Sequence, residues 1–208
     1  MFDCDGVLVD SERLFVTIDQ QVFRELGWEA TVEEITTHFV GKSGRDYEKA
    51  LRSVLGPLPD NWREPYSHLY AQAMSERLTA VDGVEAALQS IPLPKAVASN
   101  SSRDTLRASL TVTSLLPYFD DRVVSVDDVE HGKPEPDVYL RAAELLGLSP
   151  EQCIAVEDSP TGATAALAAG MHVLGYGGGL VPPDVLSELG ASVFMSMDEL
   201  PAIVAELA

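Results

Sequence analysis

Residues 1–12 read MFDCDGVLVDSE. Asp3 and Asp5 stand one residue apart, just before Gly6 and the apolar run Val7, Leu8 and Val9. Two carboxylates so close repel each other. Either they are solvated surface charges, or the rest of the chain supplies a cation.

Downstream, short apolar runs alternate with helical patterns. The runs are KAVAS (95–99), RVVSV (122–126), CIAVE (153–157) and HVLGY (172–176), with SVFM (192–195) as an edge strand. Helical patterns cover 83–90, 103–110, 136–146 and 160–169. This alternation predicts a parallel sheet covered on both faces. FDC (2–4) reads as one more strand, short against the usual 5–6 residues or so, as it would be if the protein began upstream of Met1. GYGGGLVPPD (175–184) reads as a Gly/Pro loop.

Residues 12–80 have a different texture. Leu14, Ile18, Val22 and Leu26 recur at helical spacing before Gly27. VEEITTHF, GRDYEKALRSVL and WREPYSHLYAQAMSERL follow, with no good strand among them. The expected architecture is α/β: a Rossmann-like, doubly wound parallel core from 1–11 and 82–208, with an α-helical unit inserted at 12–81.

The totals narrow the function. A chain of 208 residues has room for one large domain with an inserted unit. At 46% hydrophobic and 23% charged it reads as a soluble globular protein, without an apolar run long enough to span a membrane. A net charge of −19 repels a phosphate backbone, which excludes nucleic acid as a partner and favours a monomer. A small anionic molecule remains possible, provided its pocket holds a metal, Lys or Arg. Cys4 and Cys153 fall in apolar runs without metal or redox spacing, and read as buried fillers in a reducing compartment. With no signal peptide visible, the expected location is cytoplasmic.

Ligands of an open parallel sheet bind off the carboxyl ends of its strands. After the first run come Asp3 and Asp5, and after KAVA come Ser99 and Asn100. After RVVSV comes a loop carrying Lys133, and CIAV ends in Glu157 and Asp158. Each has an ordinary alternative: Ser99 could cap a helix, Lys133 could lie on the surface, and Ser159 could cap a helix that the two acids favour. Together they put carboxylates, a hydroxyl and an ammonium at one edge. Four clustered carboxylates need a hard divalent ion, and Mg²⁺ takes few carboxylates while accepting phosphate oxygens. Lys133 and Ser99 suit the remaining phosphate oxygens.

Those residues resemble the motifs of the haloacid dehalogenase-like hydrolases, in the helical-cap branch that holds sugar-phosphate phosphatases and β-phosphoglucomutase. FDCDGVLVDSE resembles the first motif, VASNSS the second, GKPEPDVY the third and VEDSPTG the fourth, in order along the chain. The resemblance implies Asp3 as a nucleophile that forms an aspartyl-phosphate, and Asp5 as general acid and then base. It implies Mg²⁺ held by Asp3, Asp158 and the Asp5 backbone carbonyl, with Glu157 as ligand or just behind. Ser99, Asn100 and Lys133 would bind phosphate, and Gly6 would permit tight backbone around it. FVGKSGRDY (39–47) resembles the cap's specificity loop, where Arg45 and Lys42 could meet the substrate.

The implied activity is hydrolysis of a small phosphorylated metabolite, such as a sugar phosphate. A phosphosugar mutase is the alternative within the family. Against it, Phe15 stands where the mutase carries a His, and Ser11 and Glu12 follow Asp10 where it has Thr and Ala. From another class, a phosphorylation-driven signalling or binding module without turnover would share the acid cluster. A receiver domain of that kind lacks the helical insert after the first strand.

Overall fold

Phe2 stands at the middle of the sheet. Its N–H donates to the Ala96 carbonyl at 2.9 Å, and its carbonyl accepts from Ala98 N–H at 2.9 Å. On the other side, Asp3 N–H donates to the Val156 carbonyl at 3.0 Å. The structure, a computed structural model, describes residues 1–40 and 44–207, with backbone alone at 44–46. Strand β1 (Val97–Ala98) flanks Phe2, and β2 (Val123–Val124) pairs outside it. Strand β3 (Ile154–Glu157) flanks the other side, followed by β4 (His172–Tyr176) and β5 (Ser192–Phe194). Every pairing between these strands is parallel.

The run FDC is less of a strand than its sequence predicts, with bridges at Phe2 alone. The chain turns at once: Leu8 and Val9 both donate to the Cys4 carbonyl, at 2.9 and 3.0 Å. Gly6 sits at φ +80°, a left-handed conformation that costs glycine little. The turn keeps Asp3 and Asp5 at the carboxyl edge of the sheet.

The helical stretch leaves and returns at one place. Asp10 N–H donates to the Thr79 carbonyl and Val81 N–H to the Leu8 carbonyl, at 2.9 and 3.0 Å. Between them lie α1 (Ser11–Glu25), α2 (Val32–Phe39), α3 (Gly44–Leu55) and α4 (Ser67–Glu76). Helix α2 is bounded by a reciprocal cap, in which the Thr31 hydroxyl accepts from Glu34 N–H and Glu34 accepts from Thr31 N–H. Phe23 stacks on Trp28 at 5.3 Å and meets Phe39 at 5.2 Å, which gives these helices an aromatic core.

The remaining helices are α5 (Val84–Ser90), α6 (Arg103–Val112), α7 (Asp137–Leu146), α8 (Pro160–Ala168), α9 (Pro183–Glu188) and α10 (Leu200–Leu207). Helix α9 starts inside the stretch read as a Gly/Pro loop, where Pro183 takes a first-turn position that needs no N–H donor. Strand residues alternate between the two faces. Phe2, Val97, Val156 and Leu174 pack in one core with Leu88 of α5, Leu110 of α6 and Leu200 of α10. Ala98, Val124, Ala155 and Val173 pack in the other with Tyr139 of α7 and Ala163 of α8. Among the described residues no helix is long and apolar enough to cross a membrane.

Leu110 is fully buried in the first of these cores. Leu110→Ala is expected to lower the unfolding free energy by about 2–5 kcal/mol, seen as a lower urea midpoint with an unchanged slope.

Candidate active site

The carboxyl edge of the sheet gathers the residues that the sequence singled out. Asp3, Glu157 and Asp158 are buried, with one carboxylate oxygen from each within 4.8 Å of the others. Lys133 reaches in from the loop before α7. Its Nζ donates to Asp3 Oδ1 at 2.5 Å and to Glu157 Oε1 at 2.6 Å. Burial opposes a charge on this lysine, but contact with Asp3 and Glu157 overrides it and holds Nζ above the ordinary lysine range. Burial likewise pushes the Asp3 carboxyl up, against the pull of Lys133. In this pair the lysine keeps the proton, because two carboxylates stabilise one ammonium.

Glu157 is held from several sides. The Tyr139 hydroxyl donates to Oε1 at 2.5 Å and the Ser159 hydroxyl to Oε2 at 3.2 Å. Ser159 also caps α8, accepting from Gly162 N–H at 3.1 Å, so the predicted cap and the site share one residue. Both Glu157 oxygens are therefore occupied by protein donors. Asn100 is committed too: Nδ2 donates to the Lys133 carbonyl at 3.0 Å, and Oδ1 accepts from Lys133 N–H at 2.7 Å. Its side-chain amide fastens the Lys133 loop. Ser99 is buried, and its hydroxyl accepts from Ser101 N–H at 3.0 Å. It does not cap α6, whose N-cap is Ser102.

Asp5 lies beside this cluster, gripped by two hydroxyls. Ser11 donates to Oδ1 at 2.6 Å and Ser101 to Oδ2 at 2.8 Å. Ser11 is the first residue of α1, so the helical stretch is tied to the site by a side chain as well as by the backbone. Gly6 lets the loop approach closely: a Cβ there would lie 1.9 Å from Asp158 Oδ2. Cys4 is buried, and burial with the neighbouring acids pushes its thiol up, away from the reactive thiolate.

Glu12 is the acid whose role the sequence reading left undefined. It lies against Asp158 and lines two cavities, one at Gly6 and one among the helices. Burial, then the Asp5 charge, pushes its carboxyl up to about 7. Burial and the neighbouring acids, Glu12 first, also push Asp158 well up. Glu12 Oε2 and Asp158 Oδ2 are buried without a hydrogen-bond partner among the described residues. An orphaned carboxylate oxygen in an all-oxygen donor set fits a hard divalent cation such as Mg²⁺.

Tyr139, Ser11 and Ser101 were also missed as functional residues. Each lies within or beside a quoted motif, but its contact depends on how the loops fold back. Lys42 lies outside the described residues. Arg45 is placed on the first turn of α3, with its side chain outside them.

The family model for haloacid dehalogenase-like hydrolases matches residues 1–176. The chain belongs to that family. This hydrolase is 32% identical to the 6-phosphogluconate phosphatase of Escherichia coli, over 83% of this chain and 79% of that one. It is 30% identical to the hexitol phosphatase A of the same bacterium, over 84% and 80%. A HAD family hydrolase from Deinococcus radiodurans, solved with bound phosphate and sodium, superposes with a TM-score of 0.85 at 33% identity. That match covers 99% of this chain and 93% of the other.

Two outcomes follow from the geometry. A side chain at Gly6 must displace Asp158 and adopt a strained φ, so Gly6→Ala is expected to cost at least about 1–3 kcal/mol, read by thermal melting. The second concerns pH. Glu12 moves from 4.5 to about 7 on folding, so the folded state holds its proton more tightly. That contribution to stability is complete below about 4.5 and is lost as pH rises through about 7. In chelator, the melting temperature should fall between pH 5 and 8. Millimolar Mg²⁺ should raise it more at pH 8 than at pH 5, because the cation competes with the proton.

Proposed function

We infer that this phosphoric monoester hydrolase is a Mg²⁺-dependent phosphatase of small phosphorylated metabolites, acting through a phosphoryl group carried on Asp3. The observation that supports it best is the pairing of Asp3 with Lys133 beside a cation-seeking Asp158 and a tethered Asp5. Asp3 attacks phosphorus as the ester's P–O bond breaks. Asp5 gives its proton to the departing alcohol oxygen. Asp5 then takes a proton from water, whose oxygen attacks the same phosphorus, releasing phosphate and restoring Asp3.

Lys133 orients Asp3 and offers positive charge to the phosphoryl oxygens. Ser99 and the Asn100 backbone N–H serve those oxygens too, whereas the Asn100 side chain positions Lys133. Glu157 and Tyr139 hold the lysine. Asp3, Asp158 and the Asp5 carbonyl would hold Mg²⁺, which neutralises phosphate charge and offsets the acid cluster when bound. With both oxygens engaged, Glu157 stands behind these ligands.

The helical unit at 12–81 acts as the cap that selects the leaving group. Its cavity measures about 490 Å³ and reaches Glu12, next to the reacting groups. Phe15 lines it and meets Tyr70 edge-on at 5.8 Å. An aromatic ring there cannot move a proton to or from a sugar hydroxyl, which favours hydrolysis over the mutase reaction. The names of the two E. coli relatives support sugar-derived phosphates as the substrate class.

The test is phosphate release from sugar phosphates, nucleotides and simple phosphate esters, with Mg²⁺ and with chelator. Release should require the metal. Asp3→Asn should lower kcat by about 10³-fold or more, and Asp5→Asn by about 10²–10⁴-fold. Isomerised hexose phosphate would instead establish the mutase. No turnover of any ester would favour the signalling or binding module.

A further inference from the structure

The cavity among the helices ends on an arginine that the protein holds in place but leaves unpaired. The Arg63 guanidinium carbon lies 4.7 Å from the centre of the Tyr47 ring and 5.0 Å from that of Trp62. Both rings are themselves fastened. Tyr47 donates its hydroxyl to Asp19 Oδ2 at 2.8 Å. Trp62 Nε1 donates to both oxygens of Glu48, at 3.1 and 2.9 Å, and Arg52 Nε grips Glu48 at 2.8 Å. Stacking orients the guanidinium plane without consuming its N–H donors.

Among the described residues, Arg63 makes no hydrogen bond or ion pair to a carboxylate. Arg52, Arg103, Arg122 and Arg141 each contact one. Arg77 and Arg107 are not among the residues that line this cavity. Arg63 is exposed to water, yet two rings hold its guanidinium on the cavity wall, a fixed positive charge in a chain of 33 acids and 14 basic residues. Asp19, the acid nearest in the wall, is unavailable. Tyr47 takes one of its oxygens, and Tyr70 donates to the other at 2.5 Å.

The cavity also has a direction. Glu12, at one end, touches Asp158 of the catalytic cluster. Asp19 lies seven residues further along α1, or roughly 10 Å at 1.5 Å per residue. Arg63 lines the same cavity at that far end, where its charge acts on Asp19, Tyr47 and Tyr70. An extended phosphorylated sugar chain, its phosphate at Asp3, would bring its other end to the arginine.

We propose that Arg63 is a specificity residue that receives a second anionic group, a carboxylate or a phosphate, at the far end of the leaving group. The inference rests on the phosphatase reading above and names the substrate class within it: phosphorylated sugar acids or sugar bisphosphates. The planar fork of N–H donors matches either anion.

The experiment compares wild type, Arg63→Met and Arg63→Lys on 6-phosphogluconate, glucose 1,6-bisphosphate and glucitol 6-phosphate. The last has no second anion. Arg63→Met should lower the kcat/KM preference for an anionic ester over glucitol 6-phosphate by about 10- to 100-fold. Arg63→Lys should recover part of it. The first two substrates tell carboxylate from phosphate recognition. An equal loss on all three esters would make Arg63 structural, and no loss would remove it from recognition; either overturns the proposal. Turnover of 4-nitrophenyl phosphate reports the phosphatase reading separately. Were that reading to fail, calorimetric binding of 6-phosphogluconate and glucitol 6-phosphate to wild type and Arg63→Met would still decide the matter. Weakening confined to the sugar acid supports the proposal, and any other pattern overturns it.

Discussion

One ammonium shared by two buried carboxylates is the constraint on which this structure turns. Lys133 contacts Asp3 and Glu157, while Asp158, Glu12 and Asp5 crowd the same edge. Charges taken out of water are costly unless every lone pair finds a donor. The chain supplies donors selectively. Glu157 is served by Tyr139 and Ser159, and Asp5 by Ser11 and Ser101. Asp158 Oδ2 has none among the described residues. The unmet demand thus falls where a divalent cation would meet it.

The fold exists in this form because those groups come from distant parts of the chain. Asp3 and Lys133 are 130 residues apart, yet 2.5 Å separates the interacting atoms. Parallel pairing with helices on both faces aligns the carboxyl ends, so each loop opens on the same edge. Fine placement then comes from small local devices. Asn100 clasps both sides of the Lys133 peptide unit, and two glycines leave room: a Cβ at Gly162 would lie 1.9 Å from Glu157 Oε1, as one at Gly6 would from Asp158.

Helix α1 joins the acid cluster at the sheet edge to the cavity among the helices. Its first residue holds Asp5, its second touches Asp158, and two turns later Asp19 anchors the tyrosines of the cavity wall. A single helix therefore links the tether on Asp5 to the wall of that cavity.

Much of this was legible in the sequence. The period of the apolar residues gives α2 its bounds of Val32–Phe39 and places Ser159 as the cap of α8, because such signals are local. Asp3, Asp5, Lys133, Glu157 and Asp158 were legible as one cluster because strand ends in a parallel sheet must share an edge. Tertiary structure alone decided what each atom touches: that the Asn100 side chain serves Lys133, that Glu157 is saturated by protein donors, and that Glu12 lies against Asp158. It alone made Arg63 distinctive, since an arginine in the sequence looks the same whether or not two rings hold it on a cavity wall. The physical reason is range. Periodicity and capping are set by neighbours a few residues apart, whereas a hydrogen bond forms within about 3 Å between groups whose sequence separation carries no trace of it.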